Sequence, residues 1–130
     1  MYRSEDVFCQ QIGSILGGEA TFENGICTVA KPRNMQVTIL GRPSKAVANL
    51  EFSFESFDQT GLALCLAELV LLQEEIQPIC NILTKYNLQI SALHNHWIYT
   101  NPTILYLHFQ SVDYPQSFAS KASEITKILR

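Results

Sequence analysis

What this chain has little of narrows its function first. Only 16% of its residues are charged, and 9 Lys and Arg stand against 12 Asp and Glu. That argues against a non-specific nucleic-acid groove or an anionic-membrane surface, because both need clustered positive charge. No stretch reaches the ~18 apolar residues of a membrane span. The longest apolar run, 62–72, carries Glu68 inside it. The opening residues Met1-Tyr2-Arg3-Ser4-Glu5-Asp6 are acidic early and hold no apolar run, unlike a secretory signal. The four cysteines, Cys9, Cys27, Cys65 and Cys80, form no C-x-x-C pair, so neither a zinc knuckle nor a thioredoxin-like motif is indicated. They read as small buried hydrophobes of a reducing cytosol. Gly17-Gly18 is not a phosphate loop, since it follows a helix pattern and lacks the G-K-[ST] ending. There is also no G-x-S-x-G elbow. These absences lead to the expectation of a cytoplasmic protein with no nucleic-acid or membrane partner.

What is present is a core. With 130 residues, 47% of them hydrophobic, the chain reads as one domain over 1–130. Residues 4–16 read as a helix, with Ser4 as cap, Glu5 and Asp6 in the first turn, and Gly17-Gly18 as the stop. Residues 20–30 read as a hairpin about Asn24-Gly25. A third strand, 35–40, is ended by Gly41-Arg42-Pro43, and 50–55 alternates apolar with polar. The run 62–72 reads as a strand covered on both faces, followed by a helix over 74–86 and the histidine strand at 88–98. Strand, helix and strand with short connections predict a βαβ unit whose two strands are parallel neighbours. A return strand and a last helix follow, with Pro115 in its first turn, Phe118, Ala122, Ile125 and Leu129 buried, and Lys127 and Arg130 at its C-terminal end. The fold class is therefore α+β: a mixed sheet with a βαβ unit, then a β-hairpin and C-terminal helix, plus an N-terminal helix and hairpin.

All three histidines fall in two segments, Ser91-Ala92-Leu93-His94-Asn95-His96-Trp97-Ile98 and Ile104-Leu105-Tyr106-Leu107-His108-Phe109. Strand side chains alternate faces, so His94 and His96 share one. Pairing Tyr99 with Thr103 puts His94 opposite His108 and His96 opposite Tyr106, and any even register keeps the three together. Three neutral imidazoles suit zinc or a similar divalent metal and leave a position open. Glu68, the lone charge in its strand, is the candidate fourth group, as ligand, orienter or general base. Tyr106 lies beside the histidines as a ligand-binding candidate. Arg33, in the loop Lys31-Pro32-Arg33-Asn34, is a candidate holder of a carboxylate or phosphate. Asn95 and Trp97 point to the opposite, core-side face.

Ala92-Leu93-His94-Asn95-His96, the turn proline Pro102, Tyr106-Leu107-His108-Phe109, Pro32-Arg33 and Glu68-Leu69-Val70-Leu71 together resemble the signature of the LppY/LpqO family of lipoproteins. The resemblance implies a shared fold and site. Many members of that family are exported and carry two copies of the domain. This chain has one copy and no export signal or lipobox, so pairing into a homodimer is the expectation.

Two functions of different class follow. One is a module that binds a small polar or anionic ligand, or a metal-held ligand, for sensing, carriage or sequestration. The other is a metal-dependent enzyme, hydrolase- or lyase-like, with His94, His96 and His108 as ligands and Glu68 as base. A structural or interaction role without a site is the third reading, so the sequence leaves open whether the protein is an enzyme.

Overall fold

A computed structural model describes residues 4–129; the side chain of Ser4, expected as a cap, and Arg130 lie outside the described residues. Helix α1 (Ser4–Leu16) leads into β1 (Glu19–Glu23) and β2 (Ile26–Pro32). They are joined by Asn24 and Gly25, both at positive φ, as a two-residue hairpin turn of this twist requires. Gly17, also at positive φ, ends α1, and its amide returns to the Gly13 carbonyl at 2.8 Å.

Next come β3 (Val37–Ile39) and β4 (Arg42–Ser44), then β5 (Asn49–Glu55) and β6 (Ala63–Leu72). The expected third strand is shorter than 35–40, and Gly41-Arg42-Pro43 does not simply end it. Leu40 and Gly41, at φ 52° and 78°, make a second tight turn, and Pro43 enters an edge strand where no amide is needed. A short 3-10 turn (Gln73–Glu75) precedes α2 (Ile76–Lys85), and Asn87 adopts the left-handed conformation expected after that helix. The chain ends in β7 (Gln89–His94), β8 (Thr100–Asn101), β9 (Ile104–Asp113) and α3 (Pro115–Ile128), with Pro115 in the first turn.

The main sheet has the order β1-β2-β5-β6-β9-β7, and β4-β3-β8 forms a smaller one. The α+β class holds, with the N-terminal helix and hairpin and the C-terminal helix where expected. One contact differs. The strands flanking α2 run in the same direction, but β9 lies between them and pairs antiparallel with both. The βαβ unit is thus split, and every ladder in the sheet is antiparallel. The reason is length: β9 forms a ten-residue ladder with the equally long β6, whereas β7 offers only six residues and a bulge between Ile90 and Ala92.

The helices lie against one face of the sheet. Phe118 of α3 packs on Phe54 of β5 and Phe109 of β9, at ring-centroid distances of 5.7 and 5.6 Å. Ala122, Ile125 and Leu129 are buried with it, as the periodicity of the last helix predicts. Tyr86, just after α2, donates its hydroxyl to Glu124 of α3 at 2.8 Å. Cys9 of α1 and Cys27 of β2 form a disulfide, which corrects the reading of all four cysteines as reduced. Residues 18 apart in sequence become neighbours because α1 folds back over the hairpin, a pairing that spacing alone does not reveal. Cys65 and Cys80 are free thiols. Burial pushes the Cys65 thiol up to about 12 and also raises that of Cys80, so neither is an activated nucleophile. Among the described residues no helix is long and apolar enough to cross a membrane.

Candidate metal site on the open face of the sheet

Strand alternation sends every second side chain to the face away from the helices. The register there aligns Ala30, Glu51, Glu68, His108 and Ala92 across five strands. The neighbouring row holds Thr28, Ser53, Leu66 and Gln110. Glu68 therefore reaches His108 from β6 through β9, not through the histidine strand that was expected beside it.

His94 pairs across β7 and β9 with Tyr106, and His108 pairs with Ala92. This is an even shift from the expected pairing, so the shared face survives. The shift arises because the connection is not a tight turn. The chain leaves the sheet after His94, and Thr100 and Asn101 pair with Ile39 and Thr38 of β3. His96 thus sits on an exposed loop and folds back over the cluster. Its ring stands edge-on to those of His94 and Tyr106, with centroids 4.5 Å from each.

One ligand nitrogen from each of His94, His96 and His108 lies within 4.8 Å of the others, an arrangement with the donor chemistry for a metal ion. The Nε2 atoms of His94 and His108 are 3.0 Å apart. The Glu68 carboxylate approaches His108 Nε2 at 3.3 Å and His96 Nε2 at 3.8 Å. Burial holds the His108 imidazole below its ordinary value; the Glu68 charge opposes this, and His94 and His96 reinforce it. A neutral His108 keeps a lone pair free to ligate at neutral pH.

Tyr106 packs against the rings of His94 and His96. It is 4% exposed and donates its hydroxyl to the Val47 carbonyl at 2.8 Å. Burial raises its phenol first and the Glu68 charge adds to that, so it stays a donor. Val47 is a partner that nothing in the sequence signals. Arg33 is engaged elsewhere. Its Nη1 donates to the Val70 carbonyl at 2.9 Å, and its two terminal nitrogens grip both Glu75 oxygens at 2.7 and 2.8 Å. Trp97, expected on the core side, is 49% exposed, and Asn95 is exposed as well, because both follow the end of the strand.

A cavity of about 140 Å³ adjoins the cluster, lined by Thr28, Glu51, Ser53, Leu66, Glu68 and His108 among others. The alternation of Leu50, Phe52 and Phe54 with Glu51 and Ser53 marks that wet face in sequence. It does not reveal that Glu68 and His108 close the cavity's far side.

A helix-backed sheet carrying a three-histidine cluster and a carboxylate on its open face defines a class of α+β domain with a possible binding site. The chain belongs to the family described as Domain of Unknown Function (DUF1259), whose model matches residues 10–127. No curated protein and no solved structure matches it.

Proposed function

We propose that this protein is a metal-binding module in which His94, His96 and His108, with Glu68 as fourth group, hold one divalent ion, zinc or similar. The ion and the adjoining cavity together hold a small polar ligand, for sensing, carriage or sequestration. The observation that carries this reading is the convergence of three imidazoles and a carboxylate. A single N–H···N contact explains His94 with His108, but not the third ring and the charge gathered at the same place. A tetrahedral ion bound at 2.0–2.1 Å sets its ligand atoms about 3.3 Å apart. Three of the separations, 3.0, 3.3 and 3.8 Å, bracket that value, and the three ring nitrogens lie within 4.8 Å of one another.

The test is elemental analysis and zinc titration of protein purified without a histidine tag. One equivalent should bind, and the double variant His94→Ala/His96→Ala should lose it. A wild type that takes up no zinc, or a double variant that binds as well as wild type, refutes the reading.

The position of Glu68 also supports a second reading, a metal-dependent hydrolase or lyase with Glu68 as base. Glu68→Gln separates the two: a ligand role predicts weakened metal binding, a base role predicts retained metal and lost turnover. The Cys9–Cys27 bond supports an oxidising compartment over the cytoplasm. Pairing of two copies has its support in the open β7 edge, where Ile90 and Leu93 are exposed. A dimer mass by light scattering at tens of micromolar upholds that pairing, and a monomer mass refutes it.

A further inference from the structure

Two surface features away from the histidine cluster match each other. The first is a knob of apolar side chains. Ile39 of β3 pairs with Thr100 of β8, so Leu40 and Tyr99 leave the same end of that short ladder. Leu40 is 81% and Tyr99 77% exposed, and Trp97 and Ile98 before Tyr99 are exposed as well. Leu40 and Tyr99 also hold positive φ, 52° and 61°, which is unfavourable for side chains of that bulk. The chain shows the unstrained choice elsewhere: the turn of its first hairpin is Asn24-Gly25, whereas this one is Leu40-Gly41. Large apolar residues gathered at a strained, solvated tip mark a contact surface. Arg42 pairs with Ile39 beside the tip, and neither 33–49 nor 88–112 contains an Asp or Glu. The second feature is an apolar cavity of about 340 Å³ lined by Glu5, Phe8, Phe22, Cys27 and Phe57. Phe8 and Phe57 meet edge-on, with centroids 6.3 Å apart, and Glu5 is the one charged residue of the lining. The ladder of β2 and β5 separates knob from cavity. Cys27 and Phe54 pair at the cavity end, and Pro32 and Asn49 at the other, where the chain leaves for the small sheet and returns.

From the knob and the cavity we propose that copies of this chain associate head to tail. Leu40 and Tyr99 of one copy seat in the cavity of the next, and Arg42 of the first lies beside Glu5 of the second. Burial of the two apolar side chains among three phenylalanines supplies the attraction, and the opposite charges set the orientation. A contact between two different surfaces does not close a two-fold pair, so it adds copies one after another. A bilayer is the poorer occupant of the knob. One arginine at the tip of a chain of net charge −3 offers little to anionic lipid, whereas the cavity offers both apolar walls and a carboxylate. The contact uses no residue of the metal site and none of the β7 edge, and it stands whether or not the ion binds.

The experiment is sedimentation velocity at pH 7 over about 10 µM to about 1 mM protein, the range of a weak contact, with chelator present so that metal bridges between exposed histidines do not contribute. The average mass of wild type should rise with concentration past that of two copies. Leu40→Asn/Tyr99→Asn should end that growth while melting no lower than wild type, because Asn tolerates the left-handed conformation. Should the double variant fold poorly, the single variant Leu40→Asn, whose turn then repeats Asn24-Gly25, carries the same test. Glu5→Lys/Phe57→Asn should end the growth from the cavity side. An equimolar mixture of the knob variant and the cavity variant should form a complex of one copy of each, since one retains the cavity and the other the knob. Arg42→Glu should weaken association by about fivefold, the scale of one solvated ion pair. A wild type that stays monomeric or stops at a dimer, growth that survives the asparagine variants, or folded variants that do not combine overturns the proposal. So does knob-dependent binding to phosphatidylcholine vesicles without self-association, which would give the tip to a bilayer.

Discussion

His108 is where the sheet's register and the site's chemistry meet. Its ring sits in line with Glu68 and within 3.0 Å of His94, and burial keeps it neutral more readily than a solvated imidazole. Metal affinity should hold across neutral pH and fall on acidification, because an imidazole must be neutral to ligate. Zinc titrations between pH 5 and 8 check this, and an affinity that rises on acidification would contradict ligation by imidazole. Arg33 and Glu75 carry a different residue-scale argument. Burial raises the Glu75 carboxyl, but the Arg33 guanidinium and the Leu72 amide more than reverse it, and the net shift is downward. A carboxyl depressed by folding contributes stability that is present above its unfolded value of about 4.3 and is lost as pH falls through the folded value. Glu75→Ala leaves the 4%-exposed Arg33 side chain without its carboxylate, which should cost about 3 kcal/mol at pH 7. The variant's acid unfolding limb should be flatter than that of wild type. Urea melts at pH 7 and pH 3 measure both, and an unchanged midpoint at pH 7 would dismiss the pair as surface decoration.

At the scale of elements, the disulfide fastens α1 to the second strand of the first hairpin. The loop it closes spans 18 residues, which in the chain-entropy account corresponds to about 3 kcal/mol. Cys9→Ala/Cys27→Ala should lower stability by that order while leaving zinc binding intact, because neither residue lies on the histidine face. Alkylation of native protein after denaturation should label Cys65 and Cys80 alone, and labelling of all four thiols would remove the bond. This tie was illegible in the sequence, since cysteine spacing does not reveal partners. The local elements were legible: Asn24-Gly25, Gly17 and Pro115 each act through backbone geometry that belongs to the residue itself. The place of β9 was not. Inserting it between β6 and β7 is decided by a ten-residue ladder between strands distant in sequence, and no local pattern encodes that choice. The histidine face was legible for His94 and His108, since their side depends only on parity, which survived the changed register; His96 reaches the cluster from a loop, which parity does not encode.

For the whole molecule, the separation of core and site decides how metal and stability are linked. The aromatic core of Phe54, Phe109 and Phe118 lies on the helix side of the sheet, and the histidines on the other. The fold therefore does not need the ion in the way a zinc finger does. Chelation should leave the far-ultraviolet circular dichroism unchanged. Zinc should nevertheless stabilise by mass action, by about 2.7 kcal/mol when the free ion stands a hundredfold above its Kd. For a domain of this size that is a rise in melting temperature of about 10 °C. His94→Ala/His96→Ala should melt at one temperature with or without zinc. Two results would break the argument. Loss of helical signal on chelation would mean that the ion organises the core. An equal zinc-induced rise in the double variant would mean that the ion binds somewhere other than the histidine face. Because the cluster draws on β6, β9, β7 and the loop after it, bound ion should also slow amide exchange of loop residues 95–99 more than that of α1, which shares no side chain with the site.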